Sequence, residues 1–91
     1  MIRVTGTLSC ATLEEAAIVA ALLPEHIRLS RAEPGCLDFS VTPATAPLIW
    51  ELDETFTDRA AFEAHQTRTR ASEWFRATAH LARDFQVSDT L

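Results

Sequence analysis

The chain has 91 residues, 47% of them apolar, with two glycines and four prolines; this is the composition of a globular protein with one modest core, not of a disordered or collagen-like chain. Thirteen Asp and Glu stand against eight basic residues, all arginine, for a formal charge of −5, and no basic run exists to track nucleic-acid phosphates or an anionic membrane. Lysine and tyrosine are absent, which excludes Schiff-base catalysis by a side-chain amine and any phenolic acid or relay.

Ile2, Val4, Gly6 and Leu8 alternate with Arg3, Thr5, Thr7 and Ser9, the period of a half-buried strand. The same stretch lacks the basic start and long apolar run of a signal peptide. Thr12 and Glu15 then stand at capping-box spacing before an Ala- and Leu-rich run with Ala16, Ala20, Leu23 and Ile27 on one helical stripe. Pro24 removes a backbone donor from that run and predicts a kink or a second short helix. In "RAEPGCLDFSV", Pro34 disfavours helical geometry at Glu33 and Gly35 offers positive φ, so the helix ends there and the chain turns. A second strand follows, with Leu37, Phe39 and Val41 alternating with Asp38, Ser40 and Thr42.

"PATAP" is too short for a crossover, so strands two and three pair antiparallel. Strand three, "LIWELDETF", carries Leu48, Trp50, Leu52, Glu54 and Phe56 on one face. Thr57 and Asp58 suit a helix start, and Ala61, Phe62 and His65 follow at helical spacing. A further helical piece around Ser72 to Ala82 places Trp74, Thr78 and Leu81 on one stripe with Phe75 beside it, and "DFQVS" closes as a strand. The order β-α-β-β-α-β predicts an α+β, ferredoxin-like domain over residues 1–91, with helices on one face of a four-stranded antiparallel sheet. The other face, with Arg3, Thr5, Asp38, Ser40, Ile49, Glu51 and Asp53, is left open.

Glu54 is the main anomaly, a carboxylate on the apolar face of its strand that must find a partner or keep its proton. His65 lies eleven residues on, and a strand-to-helix turn can bring the two together, either as a buried structural tie or as a carboxylate that orients a general base. Trp50, Trp74, Phe39, Phe62 and Phe75 are the candidate walls of an aromatic cleft, or core. His26 and His80 read as solvated or interface residues. The histidine spacings fit no metal site, two glycines cannot build a dinucleotide or phosphate loop, and no bound cofactor is expected. Cys10 and Cys36, 26 residues apart without a CxxC, read as free thiols in a reducing, cytoplasmic setting.

Glu33-Pro34-Gly35-Cys36, Phe39, and Glu54 followed by Ala61, Phe62 and His65 together resemble the antibiotic biosynthesis monooxygenase domain, including small quinol monooxygenases, over nearly the whole chain. The resemblance implies a homodimeric α/β barrel with sheet faces packed together, and cofactor-free oxygenation of a small aromatic such as a quinol or phenol by dioxygen. It would assign His65 as base and Glu54 as its partner. Other members of the superfamily bind or degrade haem, for which His65 or His80 would be the axial ligand, or are non-catalytic dimeric binding or stress proteins. The missing tyrosine and asparagine depart from the tyrosine-assisted and Asn-Trp-His haem-degrading sites.

Overall fold

The computed structural model describes residues 1–89. Four strands, β1 (Ile2–Ser9), β2 (Cys36–Pro43), β3 (Ile49–Phe56) and β4 (Ala82–Asp89), alternate with helices α1 (Leu13–Arg31), α2 (Arg59–Arg70) and α3 (Glu73–Thr78). The antiparallel sheet has the order β2-β3-β1-β4, so the α+β ferredoxin-like arrangement holds.

Each helix begins where a side chain satisfies an unpaired backbone donor. Thr12 accepts from the Glu15 amide while the Glu15 carboxylate accepts from the Ala11 amide at 2.7 Å; Asp58 and Ser72 do the same for the amides of Ala61 and Phe75. No second helix starts at Pro24. The helix α1 runs through it as one element of 19 residues, with Pro24 on the exposed side, where the carbonyl it leaves without a partner can turn to solvent. The buried stripe of α1 is Val19, Leu23, His26 and Ser30, not the Ala16–Ala20 line, because the larger side chains remove more apolar surface from water.

The helix-facing side of the sheet holds two adjoining apolar clusters. One is Ile2, Val4, Phe39, Leu52, Phe56 and Phe62; the other is Leu8, Cys10, Val19, Leu23, Trp74 and Leu81. Leu37 leaves this face. The register slips between Cys36 and Asp38, and a bulge of this kind turns the extra residue out of the alternation, leaving Leu37 55% exposed. Strand β4 is eight residues long, and Gly6 is what lets it lie so close to β1. A Cβ at Gly6 would stand 2.0 Å from the Asp84 carbonyl oxygen.

The Pro34-Gly35 joint turns as expected, with Gly35 at φ 86°. The tight fit explains the glycine further: a Cβ there would come within 2.7 Å of Ala61 Cβ and 2.8 Å of Thr57 Oγ1. The joint is thereby pressed against the first turn of α2, and Glu33 is carried to the helix that bears His65. On the outer face of the sheet Arg3 grips Asp53 through two hydrogen bonds of 3.1 and 2.8 Å. Cys10 and Cys36 are free thiols, and burial raises the pKa of both.

Candidate functional site

His65, on the second turn of α2, is buried against the rings of Phe39 and Phe56, with centroids 5.4 and 5.0 Å away. Its Nδ1 lies 2.7 Å from Glu33 Oε1. A carboxylate only accepts, so Nδ1 carries the proton and Nε2 the lone pair. Glu33 is held in turn by Arg68, whose Nε donates to Glu33 Oε2 at 3.2 Å and whose Nη2 donates to Ser30 Oγ at 2.9 Å. The orientation of the imidazole is therefore set by the α1–β2 joint.

This corrects the role expected of Glu54. Glu54 does approach His65, but its Oε1 is 3.7 Å from Nε2, too long for a hydrogen bond. Burial pushes its pKa up to about 8, with the Glu33 and Asp53 charges adding to the effect, so at neutral pH Glu54 is a carboxylic acid with a proton to donate. His65 shifts the other way: burial lowers its pKa, opposed by the hydrogen bond and charge of Glu33, and Arg68 lowers it further. A neutral base and a neutral acid thus face one another across a gap. An oxygen atom set to one side of the line joining them, not between them, can stand about 2.8 Å from each, an ordinary hydrogen-bond distance.

The gap opens into a cavity of about 300 Å³ between the sheet and α2–α3, whose wall includes Glu54, Phe62, His65, Trp74 and Phe75. Phe85 and Val87 of β4 close the far side, since their register partners Gly6 and Val4 share the helix-facing side. Two of the expected aromatic walls lie elsewhere. Phe39 is covered in the core beneath His26 and His65, and Trp50 packs against the Leu8–Leu23–Trp74 cluster. Arg70 and Arg83 also line the cavity.

His26 is not solvated. It is 6% exposed and stacks on Trp74 with centroids 4.8 Å apart and planes 8° from parallel. Burial, reinforced by the charges of His65, Arg68 and Arg83, lowers its pKa to about 3, so it is a neutral ring that backs the cavity wall. The spacing Val19–Leu23–His26–Ser30 carried this signal, because it is itself a helical stripe. His80 lies on the outside, with Nε2 3.0 Å from Glu15 Oε2. Glu33 and Arg68 had no comparable local signal, being 32 and 35 residues from the partners they bind.

Among the described residues no helix is long and apolar enough to cross a membrane. No curated protein sequence matches the chain. Solved structures do: an antibiotic biosynthesis monooxygenase is 27% identical over 100% of this chain and 99% of its own, with a TM-score of 0.75. A Deinococcus radiodurans protein proposed to be such a monooxygenase is 24% identical over 99% of this chain and 92% of its own, with a TM-score of 0.79. A third, from Nitrosomonas europaea and given the same proposed assignment, reaches a TM-score of 0.81 at 18% identity over 99% of this chain and 90% of its own. The family model for antibiotic biosynthesis monooxygenases matches residues 1–78, which span the Glu33–His65–Glu54 constellation, and the chain belongs to that family.

Proposed function

We propose that the protein is a cofactor-independent monooxygenase of a small phenol or quinol. The observation that carries this reading is a neutral His65 Nε2 and a protonated Glu54 3.7 Å apart on the wall of one aromatic-lined cavity, with the Thr69 hydroxyl 3.5 Å from Nε2. A quinol hydroxyl placed there gives its proton to Nε2, while Glu54 donates to the same oxygen and Glu33 stabilises the imidazolium. The quinolate passes an electron to dioxygen, and recombination forms a C–O bond at a ring carbon bearing hydrogen. The O–O bond then breaks; one oxygen stays on the ring and the other leaves as water with two hydrogens from the substrate, so quinol and O₂ give hydroxyquinone and H₂O. Phe62, Trp74 and Phe75 hold the ring and exclude bulk water. Oxygen uptake with menadiol and with a carboxylated quinol, corrected for autoxidation, tests the reading; uptake no faster than without protein for every quinol overturns it.

The raised pKa of Glu54 also makes stability depend on pH. Its unfolded-state value is near 4.5 and its folded value about 8, so the folded chain holds a proton that the unfolded chain has lost between those limits. Stability from this group is complete below pH 4.5 and is lost as pH rises through 8. The melting temperature should fall across that window, and the fall should flatten in Glu54→Gln; an unchanged slope in the variant would show that Glu54 is ionised throughout.

We further propose that two chains pair through the outer sheet face. So short a chain covers little of its own sheet, and Arg3–Asp53 offers an ordered polar patch there. Light scattering across micromolar concentrations should give twice the chain mass, and a persistent monomer contradicts this.

A further inference from the structure

The cavity has a second polar end that the chemistry above does not use. Along β1, Val4 pairs with Glu54 on one side and Val87 on the other, whereas Leu8 pairs with Trp50 and Arg83. Four residues of strand separate these rows, or about 13 Å of backbone. Arg83, the second residue of β4, stands in the Leu8 row, and Arg70, the last residue of α2, lines the same cavity.

Neither arginine has a carboxylate partner among the described residues, unlike Arg3, Arg28 and Arg68. The Arg83 guanidinium is held in place by Thr78 O at 2.6 Å, Leu81 O at 3.3 Å and Thr78 Oγ1 at 2.8 Å. The bond to Thr78 O caps α3, and the three together still leave two of the five N–H groups free. Burial alone accounts for its lowered pKa, as expected where no acid sits nearby to offset the cost of a half-buried cation. A basic last turn suits the dipole of α2, but the dipole does not require Arg70 to face the cavity. With Glu54 protonated and His65 neutral, the cavity wall carries net positive charge.

Resting on the monooxygenase reading for the orientation of the ring, we propose that the substrate is an aromatic acid: a phenol or quinol of one or two rings, with its carboxylate at Arg83 and Arg70 and its hydroxyl at His65 and Glu54. The cavity of about 300 Å³ is at the small end for ligand pockets, which suits one or two rings and no more. A planar guanidinium fork matches a carboxylate, and such charge-assisted bonds are strong where water is partly excluded.

Calorimetric titration of the intact protein with hydroxynaphthoate and with naphthol, at neutral pH, tests this. The acid should bind at least about tenfold more tightly than the neutral probe. Arg83→Gln and Arg70→Gln should each reduce that ratio severalfold, and Arg70→Glu should abolish it. If Arg83→Gln melts early through loss of the α3 cap, Arg70→Gln decides alone, since the Arg70 side chain is exposed and holds no part of the fold. Equal affinities, no binding of either probe, or a preference that survives both glutamine variants would overturn the proposal. Failure of the monooxygenase reading shows separately, as a protein that prefers the acid in an Arg-dependent way yet takes up no oxygen with any quinol.

Discussion

Replacing His65 by alanine should lower quinol-dependent oxygen uptake by about 10²- to 10⁴-fold, the usual contribution of a positioned general base. The expectation rests on the lone pair at Nε2, which is directed to the gap because Nδ1 is engaged by Glu33 at 2.7 Å. A neutral quinol is a poor reductant toward dioxygen, and its anion is a good one, so removing the base removes most of the driving force. Because His65 is buried, the variant also loses packing, and a melting curve must accompany every rate. If the effect were only structural, uptake would fall in proportion to the unfolded fraction, and a well-folded His65→Ala protein with normal uptake excludes the base assignment. Glu33→Gln should cost less, since the amide oxygen of the new side chain can still accept from Nδ1 but, being uncharged, stabilises the imidazolium poorly.

Phe56→Ala should destabilise the protein by about 3–5 kcal/mol, the cost of a large cavity in a packed core. Phe56 is 0% exposed and sits between Phe62, at 5.6 Å centroid separation, and His65, at 5.0 Å. Its loss opens space in the first core cluster and removes the wall against which the His65 imidazole is held. This is a large share of the roughly 5–15 kcal/mol by which such domains are stable, so Phe56→Leu, with a smaller void, should be measured alongside in a denaturant titration. A loss under about 1 kcal/mol for Phe56→Ala would mean that the core collapses around the site and that ring packing does not position His65.

What could be read from the sequence was whatever repeats locally. The alternation in β1 and β3 and the caps at Thr12 and Asp58 depend on neighbours a few residues away, and the fold order followed from them. Leu37 escaped because a bulge shifts the alternation by one residue without any mark in composition. Pro24 starts no second helix because a proline on the exposed side of a long, well-packed helix is outvoted by the buried stripe. His26 was hidden by its own polarity, although its spacing from Val19 and Leu23 fits the stripe. Within the site, Glu54 and His65 stood out as polar residues on apolar faces. Glu33 did not, because only the closeness of Gly35 to Ala61, a tertiary contact, brings it to His65. Arg70 and Arg83 meet one cavity for the same kind of reason, through strand register and the turn of α3.

In the proposed reaction the protein itself inserts one atom of dioxygen into an aromatic ring. The most direct measurement is mass analysis of the product formed from menadiol under oxygen-18 gas by wild-type protein. The expected product is a hydroxyquinone bearing one labelled oxygen per molecule, with the second labelled atom recovered in water. Unlabelled menadione accompanied by labelled hydrogen peroxide would show simple oxidation without insertion and would contradict it.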